Sequence, residues 1–150
     1  MNLKLLLILL LALCGSSVSI CMKNSTDMFE YKDKLYYFET FYKATWFKAA
    51  LACRRMGMEL VSFDSDEEFD KVHEFVKKKS QYKFTDLSIF TSGVMKDIGQ
   101  FHWINTGNPM NVSRWWSGTP DNKGGNEFCV NIWSNSKQFL LNDASCTWLS

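Results

Sequence analysis

Hydrophobic and polar positions change rhythm several times along this chain. An apolar block from Leu5 to Leu13 follows Lys4 and is succeeded by small residues and then a polar stretch around Asn24-Ser25-Thr26. Lys34-Leu35-Tyr36-Tyr37-Phe38 is aromatic and β-prone and reads as a first strand. Between Thr45 and Met56, the apolar residues Trp46, Ala49, Ala50, Cys53 and Met56 recur at helical spacing, and Gly57 follows as a C-terminal stop. Glu59-Leu60-Val61-Ser62 is expected to be a short strand. Ser65 with Glu68 forms a capping box, and Phe69, Val72, Phe75 and Val76 make the apolar face of a second helix. Past residue 80, short apolar and aromatic pieces alternate with Gly, Asn, Asp and Ser, the pattern of strands joined by long loops. Two helices followed by an irregular strand-and-loop half predict a single α+β domain.

The opening block changes where that domain is expected to work. One positive charge, a short apolar core and small residues near the exit make residues 1–19 a secretory signal. The block is shorter than the roughly 20 residues that cross a bilayer. No second long apolar stretch follows, so a secreted, extracellular product with no membrane span is expected. Residues 20–33 read as an exposed N-terminal extension carrying a glycosylation sequon at Asn24. Residues 34–150 read as the domain, with a second sequon at Asn111-Val112-Ser113.

Charge narrows the partners. Removing the signal takes away Lys4 and no acid, so the 17 basic residues fall level with the 16 acidic ones. A neutral chain offers no electrostatic reason to bind nucleic acid or an anionic membrane. The single basic run, Lys77-Lys78-Lys79, suits the solvated C-terminal end of the second helix.

Cys14 leaves with the signal, and Cys21, Cys53, Cys129 and Cys146 remain. In an oxidising compartment an even number suggests disulfides, and four cysteines allow three pairings. Their wide scatter lacks the close ligand pairs of a zinc site.

The chemistry concentrates late in the chain, in Thr119-Pro120-Asp121-Asn122, Glu127-Phe128-Cys129-Val130, and Asn142-Asp143 before Cys146. These residues are rich in side-chain oxygen, and calcium takes about six to eight oxygen ligands. Their order and spacing resemble the calcium and sugar loop of C-type lectin domains. The resemblance extends over nearly all of the mature chain. It takes in Thr45 to Cys53 with Gly57 to Val61, the Ile89-Phe90-Thr91-Ser92-Gly93 strand, and the run from Gly99 to Pro109, which is similar to that of short secreted invertebrate members.

That resemblance implies a C-type lectin-like fold, with two helices, a small antiparallel sheet and long disulfide-clipped loops. It implies calcium as the cofactor, held by Asp121, Glu127, Asn142 and Asp143, with Pro120 in a cis bond. Carbohydrate or glycoprotein would be the partner, two sugar hydroxyls completing the ion's shell. It implies a Cys129–Cys146 disulfide and a partner for Cys53 in a final strand, which this sequence lacks. Cys53 is then free, paired with Cys21, or the mark of a truncated C-terminus.

One position departs from the family pattern. Thr119 stands where members carry Glu or Gln, and its hydroxyl reaches less far. Leaving a polar partner unsatisfied costs about 1–3 kcal/mol, whereas a sugar contact of about millimolar affinity is worth only about 4 kcal/mol. Weak sugar binding is therefore expected, leaning to galactose because Asp121 replaces the Asn of mannose-type members. The alternative is a calcium-independent domain of the same fold that binds a protein.

Other residues carry less. Trp103, Trp115, Trp116 and Trp133 read as core and loop-packing residues. Asp64-Ser65-Asp66-Glu67-Glu68 lacks the glycine of an EF-hand and is explained by capping. His73 reads as a surface residue, and His102 has no zinc-type partner spacing. No nucleophile, metalloprotease or phosphate-loop motif occurs, so an enzyme is not expected.

Overall fold

The computed structural model describes residues 28–38, 43–79, 87–135 and 138–150. Residues 1–19, expected to be a signal, and Cys21 and Asn24 lie outside them. The chain divides into two units, Met1–Glu39 and Thr40–Ser150.

The described part of the first unit is a hairpin. β1 (Met28–Tyr31) pairs antiparallel with β2 (Lys34–Tyr37), and Phe29 packs on Tyr36 across it with ring centroids 5.8 Å apart. The strand at residues 34–37 matches the aromatic pattern. The preceding strand falls in the stretch expected to be an extension.

In the second unit, α1 (Trp46–Arg55) starts after Thr45, and Gly57 ends it at φ +70°, a conformation that costs glycine little. α2 (Asp66–Lys78) is capped by Ser65, whose hydroxyl accepts the Glu68 N–H at 3.2 Å. Glu68 returns to the N–H of Asp64 rather than to that of Ser65, at 2.5 Å, so the box is widened by one residue.

The remaining strands form one antiparallel sheet. β3 (Ser88–Asp97), β4 (Gln100–Trp103), β5 (Cys129–Ser134) and β6 (Phe139–Ala144) lie in the order β4-β3-β5-β6. The β3–β5 ladder shifts register between Phe90 and Val94, where the Thr91 hydroxyl donates to the Val130 carbonyl at 2.8 Å. Gly93 sits in this irregular stretch because a Cβ there would come within 2.8 Å of both Met110 and Val130.

The strand expected at residues 59–62 does not form. A single backbone bond, Ser92 N–H to the Val61 carbonyl at 2.8 Å, stands in place of a ladder. Asn105 holds the segment instead, its amide donating to the Leu60 carbonyl at 3.4 Å and the Ser62 hydroxyl at 3.1 Å.

Two apolar clusters hold this unit together. Trp46 of α1 packs with Phe90, Cys129 and Ala144 of the sheet and donates its indole N–H to the Thr91 carbonyl at 2.8 Å. Under α2, Phe63 meets Phe69 at 5.0 Å and Trp103 at 5.8 Å, and Phe69 meets Phe139 at 5.7 Å. His73 was expected at the surface. Its ring instead stacks on Phe139 at 4.6 Å, and burial holds its pKa below the ordinary histidine value.

Candidate functional site

β5 and β6 place two of the acids. Glu127 enters β5 two residues before Cys129, and Asp143 lies in β6 opposite Val130, three residues before Cys146. The Cys129–Cys146 disulfide, with Cα atoms 5.1 Å apart, clips the two segments together. Asp121 comes from the loop that runs along the free edge of β6, anchored where Trp116 N–H donates to the Leu141 carbonyl at 2.9 Å. Thr119–Pro120 is a cis bond within that loop.

The carboxylates of Asp121, Glu127 and Asp143 offer oxygens that all lie within 4.8 Å of one another. Asp143 is fully buried and Glu127 is 4% exposed, whereas Asp121 faces solvent. Asp143 accepts the N–H groups of Asp121 and Asn122, and Glu127 accepts the N–H of Lys123 at 2.9 Å. Burial raises the Glu127 pKa first, and the carboxylates of Asp143 and Asp121 raise it further against the Lys123 bond.

Three carboxylates this close repel one another unless a proton or a cation intervenes. The donors are all hard oxygens, which suits calcium.

The other sequence-identified residues take different places. The Asn142 amide nitrogen donates to Asn131 at 3.3 Å and to the Asp143 carbonyl at 2.5 Å, which leaves its side-chain oxygen as the atom for a cation. The Thr119 hydroxyl donates to the Trp116 carbonyl at 3.0 Å, so its proton is used by the backbone turn. Among the described residues Cys53 has no disulfide partner, and burial raises its thiol pKa. Asn111 is exposed, and the N–H and hydroxyl of Ser113 in its sequon both bond to Asp66.

Sequence reasoning assigned no role to Asn122. Its side-chain oxygen accepts the Glu127 N–H at 2.9 Å while its own N–H meets Asp143, so it joins two of the acids. The signal was present: asparagine tolerates the left-handed backbone, here φ +45°, and two glycines follow at 124 and 125. Trp133 packs on Trp116 of the loop yet keeps 43% of its surface exposed, while Trp103 is buried in the core.

The lectin C-type domain pattern matches residues 42–150. The chain belongs to the C-type lectin domain family. It is 37% identical over 109 residues to salivary C-type lectin 1 of Aedes albopictus, covering 69% of this chain and 71% of that one. It is 34% identical over 110 residues to C-type lectin 37Da of Drosophila melanogaster, covering 69% of this chain and 56% of that longer relative. Among solved structures it resembles the cow carbohydrate-recognition domain of CD23, determined in the presence of a GlcNAc2Man3 oligosaccharide. The TM-score is 0.63 and the identity 29%, over 82% of this chain and 86% of that one. Human lithostathine shares the fold, with TM-score 0.68 and 24% identity over 82% of this chain and 91% of that one. Members of this family are carbohydrate-binding proteins rather than enzymes.

Among the described residues, no helix is long and apolar enough to cross a membrane.

Proposed function

We propose that this C-type lectin domain is a secreted, calcium-dependent lectin of weak single-site affinity. The observation that carries the reading is the convergence of the Asp121, Glu127 and Asp143 carboxylates. Bound calcium would supply a Lewis-acidic centre to which two neighbouring sugar hydroxyls coordinate. The chain's own residues hold the arrangement. Asp143 and Asn122 fix the loop, Glu127 brings buried charge, and exposed Asp121 faces the solvent from which a sugar arrives.

Secretion is supported by the apolar leader at residues 5–13, the Cys129–Cys146 disulfide and the likeness to a salivary lectin. Asn24 and Asn111 are the proposed glycosylation sites, the latter on an exposed side chain. A lean toward galactose rests on Asp121 alone.

Thermal unfolding in chelator and then in millimolar calcium tests the metal. Calcium at about ten times its Kd should add roughly 1.4 kcal/mol of stability, and Glu127→Ala should remove the response. No stabilisation would leave the calcium-independent, protein-binding alternative. Retention on a galactose resin in calcium, with release by chelator, supports the sugar reading, and retention on mannose alone removes the galactose lean.

A further inference from the structure

Trp116 and Trp133 lie side by side, with ring centroids 5.2 Å apart and planes tilted by 38°. Trp116 donates its indole N–H to the Trp133 carbonyl at 3.1 Å, which fixes one ring against the other. Trp133 is 43% exposed on a strand whose other residues are all buried. Among the described residues its own indole N–H has no partner. A large, rigid apolar ring is thus held at the surface with a free donor at its rim, where it adds little to the core.

The pair is continuous with the acid cluster. The Trp116 carbonyl accepts both the N–H and the hydroxyl of Thr119, each at 3.0 Å, and Thr119 leads through Pro120 into Asp121. Trp116 is bonded to Leu141, two residues before Asp143. Asn142 pairs with Asn131, two residues from Trp133 along β5 and on the same face of the sheet, whereas Asp143, opposite Val130, lies on the other face. At about 3.3 Å per residue, that places Trp133 roughly 7 Å along the sheet from Asn142, the residue next to Asp143. A glycan seated at the site covers that distance within a ring or two.

We propose that Trp133, backed by Trp116, is a stacking subsite for a pyranose ring further along the glycan, so that the chain takes an oligosaccharide in preference to a single sugar. The proposal rests on the lectin reading above. One face of a pyranose presents C–H groups that pack on an indole face, while its hydroxyls stay in water or accept the free indole N–H. Such a second contact offsets the weak primary site left by Thr119.

The test compares methyl galactoside and methyl mannoside with linear galactose- and mannose-terminated trisaccharides, in calcium, by calorimetry. Wild-type protein should bind one of the trisaccharides more tightly than its monosaccharide. Trp133→Ala should lower that trisaccharide affinity about ten-fold and leave the monosaccharide affinity and calcium titration unchanged. Trp133→Phe, which keeps a ring, should restore most of the loss.

A wild-type protein that binds monosaccharide with no gain for any trisaccharide overturns the subsite and leaves the lectin reading standing. Equal loss on both ligands also overturns it. No binding of any of these sugars in calcium overturns both. A Trp133→Ala variant that keeps trisaccharide affinity but shifts from dimer to monomer in sedimentation overturns the subsite in favour of contact with a second copy.

Discussion

The Asp143 carboxylate accepts the backbone N–H of Asn122 at 2.6 Å, while its other oxygen accepts that of Asp121 at 3.2 Å. A buried acid in β6 therefore holds the loop that carries another acid of the cluster. Asp143→Asn keeps the size and one accepting oxygen but turns an NH2 donor toward the other of the two N–H groups. We expect a loss of about 1–3 kcal/mol in chelator and no remaining calcium response. Urea unfolding with and without calcium measures both.

Glu127 makes the cation-free protein pH-sensitive. Its folded pKa lies above the ordinary 4.5, chiefly through burial. Its contribution to stability is therefore fully present below the unfolded pKa and is lost as pH rises through the folded one. In chelator, thermal stability should fall across that window above 4.5 relative to Glu127→Gln, whose neutral side chain removes the dependence. Calcium should reverse the order of the two proteins at neutral pH.

Arg114 ties the β6-edge loop to α2, gripping Asp70 at 3.0 and 2.8 Å and Asp66 at 3.1 Å. Its hydrogen bonds hold the Asp70 carboxyl below the ordinary 3.8, so this contribution is present above that value and lost as pH falls through the folded pKa. Arg114→Met should lower the melting temperature at neutral pH, and the difference should shrink well below pH 3.8. Paired melting curves at the two pH values check it.

Gly93→Ala forces a methyl against Met110 and Val130, which lie 2.8 Å from its position. Overpacking of this kind costs about 1–3 kcal/mol. Chemical denaturation should show that loss, and because Val130 pairs with Asp143, calcium titration should show weaker binding as well.

Removing the disulfide should affect both stability and site. Cys129 and Cys146 are 17 residues apart, and closing such a loop contributes about 3 kcal/mol. Glu127 and Asp143 sit just before the two cysteines, so the double Cys→Ala variant should also bind calcium more weakly. Calorimetric titration against wild type reads this directly.

Both helices were legible in the sequence because their signals are local: a 3.6-residue apolar period, a serine cap and a glycine stop. The segment at residues 59–62 has equally good local β character, yet it lacks a paired ladder. Whether a partner lies alongside is decided elsewhere in the chain. His73 carries a polar ring on a helix, and only the placement of Phe139 from β6 reveals that it stacks. Trp133 alternates into an exposed position that composition cannot distinguish from the core.

The fold class, the oxygen-rich loops and the cysteines that bracket them are legible in the chain's linear order, since residue type and spacing carry that information. The tertiary structure alone decided which oxygens meet. Asp121, Glu127 and Asp143 converge because β5 and β6 pair in one register and Asp143 accepts the loop's N–H groups. It also put Trp133 on the face of the sheet that carries Asn142. Both outcomes depend on segments far apart in the chain being brought into contact, which no local pattern encodes.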